Sequence, residues 1–252
     1  MSASKAGRMT PRAVANDATA RLRALGDRRN AEQGRTYFRA ADQVALYGVR
    51  APSIRALARE LYQAVKPFWA VGDAVAFCDA MMRSRYLESK VLGALVLGRY
   101  RGGYERSLLG TVERWIVGGH APNWAAVDGL APEVLTPLVL SYPDLIPRVR
   151  RWTSSPNLWL RRAAVVTFVP LARKGEHLNT VYALVETLLD DPEDLLHKAC
   201  GWLLREAGKA DMSRLEGFLL RHGPRIPRTT VRYAIERFPE RRRKRLLEKT
   251  RR

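Results

Sequence analysis

Apolar residues along this chain recur at the three- and four-residue spacing that lines one face of a helix. Ile54, Leu57, Ala58, Leu61 and Val65 share a face, as do Leu87, Val91, Ala94 and Leu95, and later Leu178, Val181, Val185, Leu188 and Leu189. Breakers separate such segments at Ala51-Pro52, Gly102-Gly103, Ala121-Pro122, Tyr142-Pro143, Ser155-Pro156, Asp191-Pro192, Gly223-Pro224 and Phe238-Pro239. Most place a proline where a helix can begin, since the first turn has no use for the missing N–H. The pattern predicts helices of roughly 12 to 20 residues joined by tight connections. Only Val165-Val166-Thr167-Phe168-Val169 reads as a strand, and its flanks assign it to a helix because they fit a repeat.

That repeat emerges when three segments are superposed: Lys90-Val91-Leu92-Gly93, Arg161-Arg162-Ala163-Ala164 and His197-Lys198-Ala199-Cys200. Each sets a basic side chain before a small, apolar stretch. Seventy-one residues separate Lys90 from Arg161, and 36 separate Arg161 from His197. Both are close to multiples of about 36, a period that marks stacked helix pairs. A fourth segment starts at Asn123, 34 residues before a similar one at Asn157. Stacked pairs bury their mutual faces and leave one side lined by equivalent positions from successive helices. The expected fold is an all-α, right-handed solenoid of about six or seven antiparallel helix pairs with a concave, basic groove. The domain plan is a flexible basic tail over 1–10, a single domain over 11–240 and a basic tail over 241–252.

Charge decides the partner class. Lys and Arg number 44 against 25 Asp and Glu, leaving a net charge of +19, and 36 of the 44 are Arg. A GC-rich genome would favour Arg over Lys, but not bases over acids. The planar guanidinium matches phosphate better than an ammonium does, so nucleic acid leads. An anionic membrane surface comes second, because few basic stretches carry a bulky one-sided apolar face. No window approaches the ~18 apolar residues of a membrane span. The segment before Thr10 lacks the apolar stretch of a secretory signal. Cys78 and Cys200 stand far apart with no CxxC or His pair, so neither a disulfide framework nor a metal site is expected, and the reading is a reducing cytoplasm.

Candidate chemistry is sparse. The histidines show no ligand spacing, no serine or cysteine sits in a nucleophile motif, and no glycine-rich phosphate loop occurs. What stands out is Trp124 and Asp128, four apart and so on one helical face. An indole can stack on a cationic base and a carboxylate can stabilise positive charge on a sugar. From these two residues alone, a core tryptophan beside a solvated aspartate is the more ordinary reading. Arg162, 34 residues after Asp128, holds the matching position of the next repeat, and Trp202 lies one turn after Lys198.

The segments Asn123–Leu135, Ser155–Val166 and Leu195–Lys209 together resemble the AlkD-type DNA alkylation repair glycosylases, a family built from HEAT-like repeats. The similarity extends through Tyr47–Arg55 and Pro227–Phe238, covering about residues 30 to 238. The resemblance implies Trp124, Asp128, Arg162 and Trp202 as the catalytic set. It implies DNA-backbone contacts from Arg50, Arg55, Lys90, Arg161, Lys198 and Arg205. It further implies a monomer with no cofactor and no metal, acting on double-stranded DNA with alkylated bases, nucleoid-associated in a bacterium. Two departures are visible: Asn123-Trp124-Ala125 stands where the family often has Trp-Trp-Asp, and Arg50 where some members have Gln. Tyr37 matches a family aromatic only with a one-residue insertion. The competing readings are a non-catalytic DNA-binding solenoid and an RNA- or protein-binding one.

Overall fold

The computed structural model describes residues 9–39, 42 and 44–251, and it is all-helical. Among the described residues the β pairing is a single isolated bridge, Ala45 with Tyr86. The chain divides into two compact units, Met1–Tyr142 and Pro143–Arg252.

The first unit starts at α1 (Pro11–Ala24), whose cap Thr10 accepts from the Ala13 N–H and is followed by a proline suited to the first turn. Residues 1–8 of the expected tail lie outside the described residues. Met9 belongs to the fold, its carbonyl accepting from the Trp69 indole at 2.6 Å. Next come α2 (Arg28–Arg35), α3 (Ala51–Val65), α4 (Val71–Met82), α5 (Leu87–Leu97), a 3-10 segment (Gly98–Gly103) and α6 (Leu108–Val117). The unit closes with α7 (Trp124–Leu130), a π-helical turn (Ala131–Leu135) and α8 (Thr136–Ser141). α3, α5 and α7 pack side by side in that order, while α4 packs against α5 and α1. The apolar face read from the sequence for α3 supplies this core, with Leu57, Ala58 and Val65 buried; on α5 the buried side is Leu92, Ala94 and Leu97, and of the face read there Leu87, Val91 and Leu95 are only half-buried.

The second unit holds α9 (Ile146–Arg151), α10 (Leu158–Val166), α11 (Val169–Arg173), α12 (Leu178–Thr187), α13 (Asp194–Ala210), α14 (Met212–His222), α15 (Arg228–Ala234) and α16 (Glu240–Lys249). Here α10, α13 and α15 pack in succession. The three superposable segments therefore fall on α5, α10 and α13, helices of equivalent standing in their own units. The shared asparagine has a physical cause as well. Asn123 accepts from the Ala126 N–H, and Asn157 accepts from the Trp159 and Leu160 N–H groups, so each caps a helix. Val165 to Val169 is helical at both ends, α10 finishing at Val166 and α11 starting at Val169.

Several helices are shorter than the expected range, and over residues 124–141 proline is the reason. Pro132 and Pro137 each remove an i→i−4 hydrogen bond from what would be one helix over 124–141, which becomes α7, a π turn and α8. The basic stretch at the C-terminus carries a further helix. Residues 240–249 form α16, with Leu246 fully buried and Arg242 and Arg245 both paired with Glu216 of α14. An amphipathic stretch with one apolar stripe folds when a neighbouring face is available to cover it.

Cys78 and Cys200 are both buried, unbridged thiols. Burial pushes the Cys78 thiol up and that of Cys200 to about 12. Since the thiolate is the reactive form, a thiol reagent at pH 8 is expected to find neither cysteine in the native protein and both after denaturation. Rapid native labelling would contradict this placement. No helix among the described residues is long and apolar enough to cross a membrane.

Candidate functional site

In the first unit, the segment leading into α3 is held unusually firmly for a loop. Ala45 bridges to Tyr86 and accepts from the Leu87 N–H, and the Tyr47 ring stacks on Tyr86 with centroids 3.8 Å apart. Glu88, on the first turn of α5 and buried, accepts from the N–H groups of Tyr47, Gly48 and Val49 at 3.1, 2.7 and 3.3 Å. Gly48 has φ +84°, and a Cβ there would meet the Asp27 carbonyl oxygen at 2.0 Å, so only glycine fits. This clamp fixes Val49 and Arg50 at the start of α3.

Behind the clamp lies a cavity of about 540 Å³ whose lining includes Phe38, Leu46, Arg50, Ile54, Glu88 and Trp124. Trp124 is half-buried, at the first position of α7 where the Asn123 cap starts the helix. Its indole stacks on Phe38, centroids 5.1 Å apart and planes 20° from parallel. Asp128, also half-buried, stands one turn further along the same helix. A carboxylate one turn from an indole that walls an apolar cavity can meet a developing positive charge on whatever packs against that indole.

The remaining sequence-derived positions separate into two groups. Arg50 and Arg55 are exposed on the first turns of α3, Lys198 is half-exposed on α13 beside Asp194 at 2.8 Å, and Trp202 is half-buried on the same helix. Arg205 is partly exposed and pairs with Glu236 and Glu206. Lys90, Arg161 and Arg162 have partners within the protein. Lys90 is 5% exposed, its ammonium donates to the Met82 carbonyl, and burial lowers its pKa to about 8. Arg161 pairs with Asp191 at 2.8 Å and donates to the carbonyls of Ser155 and Pro156, tying down the approach to α10. Arg162 is 6% exposed and donates to the Leu195 carbonyl at 2.6 Å, joining α10 to α13. The recurring basic position is thus largely a helix-packing device: a long side chain laid along apolar neighbours, with its charged end on backbone carbonyls.

Two residues of the site were not found from the sequence. Phe38, not Tyr37, is the aromatic beside Trp124; Tyr37 is 71% exposed although it borders the same cavity. Glu88 carried a usable signal, a carboxylate opening an otherwise apolar helix with only Lys90 for company.

A model of the family described as "DNA alkylation repair enzyme" matches residues 18–238. No curated protein matches the chain. Among solved structures, the fold is similar to one described as "Predicted DNA alkylation repair enzyme from Enterococcus faecalis". The TM-score is 0.73, the likeness covers 86% of this chain and 98% of that one, and sequence identity is 16%. At that identity the likeness concerns the fold.

Proposed function

The chain belongs to the DNA alkylation repair enzyme family, and from that premise we propose that it is a glycosylase hydrolysing the N-glycosidic bond of cationic N3- or N7-alkylated purines in double-stranded DNA. The observation that carries this reading is Trp124 at the wall of a preformed cavity, held by an asparagine cap and a stacked phenylalanine, with Asp128 one turn further along α7.

Glycoside hydrolysis ordinarily uses one carboxyl group to protonate the leaving group and another to serve the sugar or water. A purine alkylated at N3 or N7 already carries the charge that protonation would supply. As the bond from C1′ to the base breaks, its electron pair goes to the ring and the base leaves neutral. Positive charge then develops on the deoxyribose. Asp128 stabilises that charge and orients a water toward C1′; the water adds there and gives up its proton to the Asp128 carboxylate, which returns it to solvent. Trp124 packs its π face on the sugar. No covalent enzyme intermediate is needed, so the activity is monofunctional, without strand cleavage.

In this reading Arg50 and Arg55 contact phosphates from the first unit, and Trp202, Lys198 and Arg205 contact the DNA backbone from the second. Arg162, Arg161 and Lys90 act as positioning residues that hold helix ends. Such contacts set orientation and carry little sequence information.

The test is to incubate methylated duplex DNA with the protein and quantify the purines released. Release of 3-methyladenine and 7-methylguanine above the spontaneous rate is expected; release at the spontaneous rate overturns the reading. Binding to undamaged duplex should be mainly electrostatic, as the +19 net charge implies. With about six phosphates neutralised, log K against log salt should have a slope near −5. A flat salt response in an equilibrium titration would contradict it.

A further inference from the structure

A second cavity of the first unit, about 430 Å³, is lined by Arg55, Arg59, Arg99 and Arg101 together with Tyr62 and Glu133. Arg55 and Arg59 stand one turn apart on α3, while Arg99 and Arg101 come from the 3-10 segment that follows α5. Chain segments some 40 residues apart thus deliver four guanidinium groups to one concavity. Like charges one turn apart disfavour a helix, and among the described residues none of the four makes an ion pair within 4.0 Å. Arg99 lies over the Tyr62 ring, 6.0 Å from its centroid. The concentration of uncompensated charge points to a ligand that brings the missing negative charge.

The wall of this cavity is fixed. Glu133 sits on the π turn, and π turns inside helices are frequent at functional sites. The Tyr104 hydroxyl lies 3.0 and 3.1 Å from the carbonyls of Leu97 and Glu133, locking the end of α5 to that turn. Gly98 makes room for the carboxylate: a Cβ there would stand 2.6 Å from Glu133 Oε2. Glu133 is the one acid lining the cavity. Burial raises its carboxyl above the usual range, against the pull of Arg101, Arg99 and Arg55. One carboxylate among four lining arginines, three of which act on it, leaves the cavity with a strong net positive charge.

We propose that the cavity between α3 and the 3-10 segment is an anion site that takes a phosphodiester of duplex DNA, with Arg59, Arg99 and Arg101 joining Arg55 as its ligands and Glu133 as a built-in competitor. The planar guanidinium fork pairs with two phosphate oxygens at once, and two forks from different elements clamp a phosphate from two directions. The site deepens the function proposed above, resting on its DNA-binding part and not on its chemistry.

Two variants with opposite expected effects test it, read by equilibrium binding to an undamaged duplex across a salt series. Arg99→Gln combined with Arg101→Gln should weaken binding about tenfold at moderate salt and reduce the magnitude of the salt slope by about 1 to 2. Glu133→Gln should tighten binding about threefold, as loss of one nearby negative charge in a partly solvated setting gives. A damaged fold would weaken both variants, so tightening by Glu133→Gln identifies an electrostatic site. An unchanged slope in the double arginine variant overturns the proposal. So does a double variant that loses binding of inorganic pyrophosphate, measured by calorimetry, while keeping its duplex slope, since the cavity would then serve a free anion. Wild-type protein that binds duplex but releases no base overturns the excision chemistry alone and leaves this test intact.

Discussion

Asp128→Asn is expected to keep duplex binding and to slow single-turnover release of 7-methylguanine by about 10²–10³-fold, the usual consequence of removing one preorganised electrostatic partner. Asparagine preserves the size of the half-buried side chain on α7 and keeps one acceptor oxygen. It removes the charge and turns the other acceptor into a donor. An interaction made mainly in the transition state is lost from the rate and not from affinity. The defect should be larger for N7-alkylguanine than for N3-alkyladenine, whose weaker glycosidic bond asks less of the enzyme. Equal rates for the two proteins at matched occupancy would make Asp128 a structural residue and return the chain to the non-catalytic DNA binders.

The second large effect concerns Glu88, and it is read in stability. Glu88→Ala removes the acceptor shared by the N–H groups of Tyr47, Gly48 and Val49, two of them buried in the segment that leads into α3. Each buried donor left without a partner costs about 1–3 kcal/mol, and entering water recovers part of that, so a net loss of about 3 kcal/mol is expected. For a chain of this length that lowers the thermal midpoint by about 6–12 °C. Glu88→Gln keeps one acceptor oxygen and should fall between the two. An unshifted midpoint in the alanine variant would show that the clamp is held by the Tyr47–Tyr86 stack and not by the carboxylate.

Helix content was legible because it depends on local periodicity. The face of α3, the shared asparagine that begins α7 and α10, and the helical ends of Val165 to Val169 follow from short-range spacing. Where helices break was harder to read, because Pro132 and Pro137 turn one expected helix into three segments by deleting individual hydrogen bonds. Burial of the basic positions was not legible at all. A sequence shows that Lys90, Arg161 and Arg162 carry charge, but not that carbonyls of Met82, Ser155 and Leu195 stand ready to receive it. The same limit hid Phe38, since its stacking on Trp124 joins segments 86 residues apart.

The Phe38–Trp124 stack has an optical consequence. Of the six tryptophans, Trp69, Trp115 and Trp152 are buried and should emit as shielded indoles, while Trp124, Trp159 and Trp202 are half-exposed. An indole pressed against another ring and partly wetted is sensitive to whatever displaces its water. A ligand that settles against it changes both emission wavelength and intensity, and subtracting the spectrum of Trp124→Phe isolates that contribution. Occupancy of the first unit's cavity can therefore be followed by intrinsic fluorescence, with no label on the protein or the nucleic acid.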